Sequence, residues 1–513
     1  MKSLVLWEVS KKQNYIFASN RLKENIGASI IIERVIEELP KEIDSKYEKN
    51  LVYNGGGSSL YRFDNRDEAE TFTKNISEKV LRYYPGLEIF MVIMDYDENQ
   101  DKVTEIIDNA YKKLGVKKNR RINSGRQISF GIERCCSSTK LPAIEEYIED
   151  NGQQRFRSAE VCIKIKEAEN RRSKKFDRLL LDNKGIKEFR DLAKGDKNYM
   201  AVVHIDGNGM GKRFDELKSF FEYNEGNYAR INEEYINALK QFSTEVKNAY
   251  EIAFSEMVQA IMRNYERIRE HTEIENDKFP LIPIIIAGDD ITYATNGKIG
   301  IETARVFLEA LNSKKIELFN NNTISLNACA GVAIVRTSYP FAKAYELAED
   351  LCSNAKRRLR LEYLDNDKDF SLIDWHIEQG DLIGTIDEIR KEHYVTLDNK
   401  ELCMRPLYLN NFESGKWRNY DNFLETYHHI TSLEISNKKI ARNKLKELRE
   451  VLKKGESATE IFLKSNKISN YFGGIKGKSG DYCFNDEGCI YYDAIEVMDL
   501  FIELQDEKGD QNE

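Results

Sequence analysis

The sequence repeats one arrangement of strand-like and helix-like segments, and this repeat limits the possible folds more than any other feature. In each copy an apolar strand is followed by a helical region, a hairpin, a second helix and a further strand. The strand-like segments alternate or are continuously apolar, whereas apolar residues recur every three to four positions in the helical ones. This order builds an antiparallel sheet with helices on one face, which is the ferredoxin-like arrangement. We therefore predict an α+β protein with two ferredoxin-like (βαββαβ) domains.

The strands of both copies are predicted from short apolar runs. In the first copy they are LVLWEV, the hairpin LVYNGGGSSLYRF, LEIFMVIM and RQISFGIE. In the second copy they are YMAVVHID, the hairpin PIIIAGDDITYA and ISLNACAGVAIV, and SLIDWHI is predicted to add a strand. The helix after the second hairpin places one face of apolar residues toward the sheet, namely Ala304, Phe307, Leu308 and Leu311.

Helix-forming segments lie between the copies and after the second one. The stretch KIARNKLKELREVLKKG carries one apolar stripe, with Gly455 placed to end the helix. We predict a first ferredoxin-like domain over residues 1–150, a helical connector over 151–195, the second ferredoxin-like domain over 196–384, and a helical C-terminal domain over 385–513. The predicted stripe consists of Ile440, Ala441, Leu445, Leu448, Val451 and Leu452.

Composition and charge exclude several classes of protein. The net charge of -9 argues against a broad basic surface for nonspecific nucleic-acid binding, which needs clustered Lys and Arg. The eight cysteines form neither a disulfide framework nor paired zinc-binding CxxC motifs. No run approaches the roughly 20 apolar residues that a membrane span requires, and the N-terminus becomes charged too early for a secretory signal. These features predict a cytoplasmic protein without a membrane partner.

Three aspartates form the candidate centre of the second copy. Asp289 and Asp290 interrupt the apolar hairpin, and Asp206 ends the strand predicted to lie beside it. Three neighbouring carboxylates repel one another unless a cation lies among them. Oxygen ligands without His or Cys favour Mg²⁺ or Mn²⁺. An isolated Asp-Asp pair is more often turn chemistry, but here a second acid on the adjacent strand favours a metal site.

Glycines follow the first of these acids closely. Gly207, Gly209 and Gly211 let backbone amides approach a phosphate, and a helix that begins nearby would direct its positive end to the same place. Two nearby residues have more ordinary interpretations. His204, on the same strand face as Asp206, is predicted to be structural, and Lys356 to be a solvated lysine near a helix end.

Together these motifs resemble the large polymerase/cyclase subunit family of type III CRISPR effector complexes. Its second palm domain, with a Gly-Gly-Asp-Asp hairpin related distantly to GGDEF-type cyclases, resembles HIDGNGMG, IIAGDDITYA, NACAGVAIV and YPFAKAYELAEDLCSNAK. Its first palm is similar to EVSKKQNYIFASNRLKENIGAS and YNGGGSSLYRF, and its helical C-terminal domain to the region that begins at RPLYLNNF. The resemblance thus spans most of the chain.

The resemblance implies a function and a set of site residues. Members of the family place two palms face to face and join two ATP molecules 3′ to 5′ into cyclic oligoadenylates. By motif, Asp206, Asp289 and Asp290 would be catalytic and would hold Mg²⁺ or Mn²⁺. The nucleotide-binding residues implied in the second palm are Gly207, Asn208, Gly209, Gly211, Gly288 and Lys356, the last on phosphate. Those implied in the first palm are the Asn54–Ser58 turn, with Gly55, Gly56 and Gly57, and Ser29.

The sequence also departs from the family pattern. Ala287 replaces the first glycine of the hairpin, and Glu8, Lys11 and Lys12 stand where the first palm usually has an acid followed by Ser-Gly-Ile. The first palm is therefore predicted to be degenerate. A His-Asp dipeptide and the zinc-binding cysteines between the palms are absent from the sequence. These departures predict a trimmed, stand-alone relative without the HD nuclease.

Three classes of function remain open from the sequence. The favoured class is a metal-dependent cyclase or oligonucleotide synthase that makes a second messenger from ATP or other nucleoside triphosphates in antiviral defence. The second is a structural large subunit that binds RNA or CRISPR-type protein subunits and keeps a vestigial nucleotide site. The third is a templated polymerase, which lacks an evident basic duplex channel here. A second copy of the chain is a further candidate partner.

Overall fold

The computed structural model describes most of the chain. The described residues are 1–120, 131–148, 152–181, 185–186, 188–195, 198–274, 278–362, 369–378, 380, 384–409, 417–435, 438–473 and 483–505.

The N-terminal region folds around one four-stranded antiparallel sheet, whose strand order is β2-β3-β1-β4. This is the ferredoxin-like order, so the first predicted copy is confirmed. The predicted strand RQISFGIE lies mainly at residues outside the described ranges. The strands are β1 (Lys2–Ser10), β2 (Leu51–Gly55), β3 (Ser58–Phe63) and β4 (Glu88–Tyr96), and the helices are α1 (Lys12–Ile16), α2 (Leu22–Glu33), α3 (Leu39–Ile43), α4 (Tyr47–Asn50), α5 (Arg66–Tyr83) and α6 (Val103–Arg120).

The segment between the two sheets contains the helix predicted for residues 151–195. This helix, α7 (Ala159–Leu179), packs against α2 of the N-terminal region. A short hairpin precedes it, formed by β5 (Glu145–Ile148) and β6 (Gln154–Arg157). The connector is therefore part of the packing around the first sheet, because its apolar face covers α2.

The second sheet contains the same four-stranded order, β12-β7-β9-β8, and two more strands beyond β12. The strand predicted at SLIDWHI is β13, which runs parallel to β12. The elements are β7 (Tyr199–Gly207), α8 (Met210–Ser219), α9 (Tyr228–Arg263), α10 (Tyr265–His271), β8 (Leu281–Ala287), β9 (Asp290–Asn296), α11 (Gly300–Ser313), β10 (Lys315–Phe319), β11 (Asn322–Ser325), β12 (Ala328–Arg336), α12 (Phe341–Glu362) and β13 (Leu372–Ile377).

One predicted strand of this region is divided into two. The segment ISLNACAGVAIV forms the end of β11, which pairs only with β10, and then β12 of the main sheet. Asn327 lies at the break, where its carbonyl accepts a 2.9 Å hydrogen bond from the Asn208 amide. Its side-chain oxygen accepts from Asn312 at 2.8 Å and Ser371 at 3.1 Å. These tertiary hydrogen bonds replace the strand hydrogen bonds at the break. The apolar pattern of the segment does not reveal them, because their partners are distant in the sequence.

The C-terminal region is mainly helical, as predicted. The predicted apolar stripe buries Leu445, Leu448 and Leu452 on α15, and Gly455 follows with a φ of 98°. The elements are α13 (Ile386–His393), β14 (Leu407–Tyr408), α14 (Tyr420–Ser432), β15 (Glu434–Ile435), β16 (Lys438–Lys439), α15 (Arg442–Leu452), α16 (Glu456–Ser465) and α17 (Tyr492–Val497).

Candidate active site

The three predicted carboxylates lie at one end of the second sheet. Strands β7 and β9 are paired neighbours, and Asp206 lies directly opposite Asp290 in their register. Asp289 occupies the turn between β8 and β9, and its carbonyl accepts a 3.2 Å hydrogen bond from the Gly207 amide. The order of strands therefore brings together residues that are more than 80 positions apart in the chain.

Gly207 allows close packing beneath this carboxylate cluster. A Cβ atom at this position would lie 2.6 Å from the Tyr250 hydroxyl oxygen and 3.0 Å from the Cβ of Asp289. Tyr250 is almost fully buried on α9, and its hydroxyl has no hydrogen-bond partner among the described residues. A side chain at position 207 would therefore displace either the tyrosine or the acid.

The environment of Asp289 favours its neutral form. Desolvation, followed by the charges of Asp206 and Asp290, raises the pKa of Asp289 from its ordinary value of 3.8 to about 6. Lys356 acts in the opposite direction but more weakly. Negative charge therefore accumulates at this end of the sheet, and a bound cation would relieve the repulsion.

Lys356 is not the solvated lysine that its position in the sequence suggested. It lies on α12, and its Nζ atom is 2.6 Å from Oδ2 of Asp206. The same ammonium group donates a 2.7 Å hydrogen bond to the Gly207 carbonyl. Burial lowers the pKa of Lys356, but the Asp206 carboxylate outweighs this effect and raises it overall. Lys356 is therefore a counter-charge within the carboxylate cluster.

His204, for which a structural role was predicted, lies beside the cluster. Its buried Nδ1 atom lies 3.1 Å from the Thr292 hydroxyl and 3.7 Å from Oδ1 of Asp290. The ring meets Tyr345 edge-on, with centroids 5.5 Å apart. Oδ1 of Asp290 is itself buried and accepts no hydrogen bond from the described residues.

Sequence reasoning missed a fourth acid, Glu349. Desolvation raises the pKa of Glu349; His204 opposes this, whereas the nearby charges of Asp290 and Asp206 add to it. Its Oε1 atom accepts a 3.2 Å hydrogen bond from Gln13, which belongs to the first palm. A signal was present in the sequence, because Glu349 precedes Lys356 by two helical turns and so shares its face of α12.

The glycine-containing loop after β7 is shorter than predicted. Asn208 and Gly209 alone separate β7 from α8, and Gly209 has a left-handed φ of 61°. Gly211 lies in the first turn of α8, which contains no acidic residue. The Asn208 amide nitrogen donates to Oδ1 of Asp369 at 3.0 Å and to the Phe370 carbonyl at 2.8 Å. The Asn208 side chain thus anchors the loop from which α8 begins.

The glycine turn of the first palm lies against the acid-bearing turn of the second. A Cβ atom at Gly288 would lie 3.4 Å from the Gly56 amide nitrogen, and one at Gly56 would lie 3.9 Å from Oδ1 of Asp289. Residues of both turns line one cavity, but Asp206, Asp289, Lys356 and the predicted residues Gly207, Asn208, Gly209 and Gly211 are not part of its lining. Its lining includes Lys12, Gln13, Ser29, Asn54, Gly55, Gly56, Gly57, Gly288 and Asp290.

The donor atoms fit the predicted type of metal, although they do not surround a single point. Carboxylate oxygens are the ligands that Mg²⁺ and Mn²⁺ prefer, and one oxygen of Asp290 lacks a partner. Within the described ranges, no three His, Cys, Asp or Glu side chains converge closely enough to hold an ion. The Lys356 ammonium group already neutralises the carboxylate of Asp206.

The geometry defines a palm-type domain, and a comparison of sequence families agrees. Residues 199–362 match the family model described as the second palm domain of Cas10/Cmr2. The match contains β7, the β8–β9 hairpin, β12 and Lys356. It confirms the resemblance to the large subunit family of type III CRISPR effectors. No curated protein matches the chain.

Solved structures share the fold over nearly the whole chain. A chain of the Csm1-Csm4 cassette in complex with cA4 is 13% identical, with a TM-score of 0.54, and the alignment covers 97% of this chain and 69% of that chain. The apo cassette gives the same identity, TM-score and coverage. The cassette in complex with one ATP is 14% identical, with a TM-score of 0.53 and coverage of 98% and 70%.

None of the helices in the described ranges combines the length and the apolar character needed to cross a membrane.

Proposed function

We propose that this protein is a metal-dependent nucleotidyl cyclase or oligonucleotide synthase that joins ATP or other nucleoside triphosphates into a cyclic second messenger. The observation that carries the proposal is the single cavity between the glycine turn of the first palm and the acid-bearing turn of the second. The match to a Cas10/Cmr2 palm supports it, as do the ATP and cA4 complexes of the Csm1-Csm4 cassette. A role in antiviral defence follows from the same likeness.

Asp206, Asp289 and Asp290 are the proposed ligands of Mg²⁺ or Mn²⁺ and the proposed catalytic residues. When bound, the metal would lower the pKa of an attacking 3′-hydroxyl and neutralise charge on the α-phosphate. Cation binding requires deprotonated carboxylates, so Asp289, with a pKa of about 6, links binding to pH.

The remaining residues would bind and orient the nucleotides. The α8 amides after Gly209 would bind phosphate at the helix N-terminus, and Lys356 would exchange Asp206 for a phosphate oxygen. Ser29 and the Gly55–Gly57 turn would position the second nucleotide. Alignment of the two nucleotides would supply much of the rate enhancement, because well-oriented groups lower the barrier by about 7 to 11 kcal/mol.

A second candidate function is a structural large subunit that binds CRISPR-type protein subunits or RNA. The ion pair between Lys356 and Asp206 favours it, because a vestigial site would keep its carboxylates neutralised by the protein itself. One solved relative is the Csm1-Csm4 subcomplex of a type III-A CRISPR-Csm interference complex, with 13% identity and a TM-score of 0.52.

The deciding experiment is incubation of the full chain with each nucleoside triphosphate and Mg²⁺ or Mn²⁺, followed by mass spectrometry of the products. Asp289 and Asp290 are replaced together by Ala in the test variant. Asp486 and Glu487, two adjacent exposed acids, are replaced together by Ala in the control. We expect product from the wild type and the control but none from the test variant. Full activity of the test variant would refute the cyclase proposal.

A further inference from the structure

Lys12 places an ammonium group in the cavity between the palms. It is the first residue of α1 and directly follows Lys11, which has a left-handed φ of 51°. This backbone conformation turns the chain out of β1 and directs the Lys12 side chain to the glycine turn, where its Nζ atom donates to the Gly56 carbonyl. The amide of Val9 secures the same turn through a 3.0 Å hydrogen bond to the Gly57 carbonyl.

The glycine turn accommodates the Lys12 side chain closely. Gly57 has a φ of 85°, and a Cβ atom there would lie 2.8 Å from Nζ and 2.9 Å from Cε of Lys12. A residue with a side chain at position 57 would therefore displace the ammonium group. The Lys12 side chain thus packs directly against the glycine turn. The sequence had suggested only that these glycines approach a ligand.

Within the part of the chain that the structure describes, the charge of Lys12 lacks an anionic partner, in contrast to other lysines nearby. Lys247, which lines the same cavity, lies 2.6 Å from the Glu37 carboxylate. Lys356 is paired with Asp206. Among the described residues, no carboxylate forms an ion pair with Lys12, and the Gly56 carbonyl is its hydrogen-bond acceptor. A partly buried cation without a counter-ion is unfavourable, so this position suits an anionic ligand.

The location of Lys12 indicates which anion would bind there. Its acceptor, Gly56, belongs to the glycine turn that lies against the acid-bearing turn, and Lys12 and Asp290 line the same cavity. Apolar side chains of Ile32, Ile36 and Ile285 line the same cavity and offer a surface for a base. A nucleoside polyphosphate combines an apolar base with phosphates, which can bind a metal on one side and an ammonium group on the other.

We propose that Lys12 is a phosphate-binding residue that the first palm contributes to a bound nucleoside polyphosphate. This inference rests on the proposed function and adds a specific contact to it. It also explains a departure of this chain from the family pattern. Lys12 is one of the residues by which the first palm differs from that pattern, and it supplies a positive charge to this half of the site.

The test compares two adjacent lysines by the same substitution. Lys12→Gln removes the ammonium group from the cavity, and Lys11→Gln removes an equal charge from the exposed neighbouring position. Binding of ATP, AMP and adenosine to the full-length chain is measured by calorimetry with Mg²⁺. We expect Lys12→Gln to weaken ATP binding about tenfold, the effect of losing one charge-assisted hydrogen bond. Adenosine binding should not change, and Lys11→Gln should bind ATP as the wild type does.

Two further variants separate charge from folding. Lys12→Met keeps the aliphatic stem against Gly57 and should lose ATP affinity as Lys12→Gln does, whereas Lys12→Arg should retain it. Thermal melting of each variant shows whether the fold is intact. Equal losses of ATP and adenosine binding would overturn the inference, because they would mean that the cavity had changed shape.

The outcomes also distinguish this inference from the proposed function. If the wild type and Lys12→Gln bind ATP equally, the assignment of Lys12 is wrong and the proposed function stands. If the wild type binds no ATP, both fail together. The same variants are also titrated with an RNA oligonucleotide. A loss confined to RNA binding, with ATP binding unchanged, would overturn the inference in favour of an RNA contact.

Discussion

The Nζ atom of Lys356 lies 2.6 Å from Oδ2 of Asp206. A residue proposed to contact phosphate is thus paired with a residue proposed to hold a metal. The pair explains how a cluster of acids can be stable without a bound ion, because one carboxylate is neutralised from within the domain. It also means that metal or nucleotide binding must first break this ion pair, which makes Lys356 the most informative single residue of the site.

We predict opposite effects of Lys356→Met on two ligands. Loss of the phosphate contact should weaken ATP binding by about 1 to 3 kcal/mol, the scale of a charge-assisted hydrogen bond. Binding of Mn²⁺ alone should strengthen, because Asp206 is released. Titration of each ligand by calorimetry measures both effects. Lys343→Met, an exposed lysine of the same helix, is the control. Unchanged ATP affinity would restrict Lys356 to neutralising Asp206.

The raised pKa of Asp289 predicts that the free energy of unfolding decreases as the pH rises. The pKa of Asp289 in the folded state is about 6, above its ordinary value of 3.8. The stability that this residue contributes is therefore complete below about pH 4 and is lost as the pH rises through 6. Asp289→Asn should therefore raise the free energy of unfolding at pH 8 by about 1 to 2 kcal/mol and leave it nearly unchanged at pH 4. Denaturant unfolding of this variant and of Asp64→Asn, an exposed acid, provides the comparison.

Addition of a metal gives a second measurement on the wild type and these two variants. Mg²⁺ or Mn²⁺ at pH 8 should stabilise the wild type, because binding to the folded state shifts unfolding by mass action. The stabilisation should be smaller in Asp289→Asn and unchanged in Asp64→Asn. Equal stabilisation of all three would place the metal elsewhere.

Gly56 is predicted to be required for joining two nucleotides. Its φ of 57° disfavours β-branched residues, and a Cβ atom there would lie 3.9 Å from Oδ1 of Asp289. Gly56→Val should reduce product formation far more than the binding of a single nucleotide. Gly226→Val is the matched control, since Gly226 has a φ of 84° and open space around it. Wild-type synthesis by a folded Gly56→Val protein would refute the composite site.

Loss of the hydroxyl group should change the stability of the fold differently at two buried tyrosines. The Tyr250 hydroxyl has no hydrogen-bond partner among the described residues, whereas that of Tyr293 donates to Thr303 at 3.1 Å. Tyr250→Phe should be neutral or stabilising, and Tyr293→Phe should destabilise by about 1 kcal/mol. Thermal melting decides this. Destabilisation by Tyr250→Phe would indicate that its hydroxyl bonds to Asp289.

Arg405 is predicted to secure the C-terminal region to the second sheet. Its buried guanidinium lies 2.8 Å from Glu496 and 3.2 Å from Asp493, and it donates to the Trp375 carbonyl of β13 at 2.6 Å. Arg405→Met should cost about 3 to 5 kcal/mol, because two buried carboxylates lose their partner. The pair between the exposed Arg442 and the half-buried Asp499 is the control, with about 0 to 1 kcal/mol expected for Arg442→Met. Comparable losses would contradict this account.

The sequence by itself determined the sheets and the position of the acids. Strand periodicity and the two hairpins specify the ferredoxin-like order, and that order places the first strand beside the hairpin. The opposition of Asp206 and Asp290 follows directly from it. These features could be predicted because each depends on a local repeat or on the pairing of neighbouring strands.

Only the tertiary structure decided the partners of the charged side chains. The pair of Lys356 and Asp206, the approach of Glu349 to the cluster and the contact of Lys12 with Gly56 each depend on how a helix is rotated or how the palms meet. Asn327 interrupts a strand through hydrogen bonds to distant residues. No local pattern encodes such contacts, because their free energy arises from groups that become neighbours only after the sheets have packed.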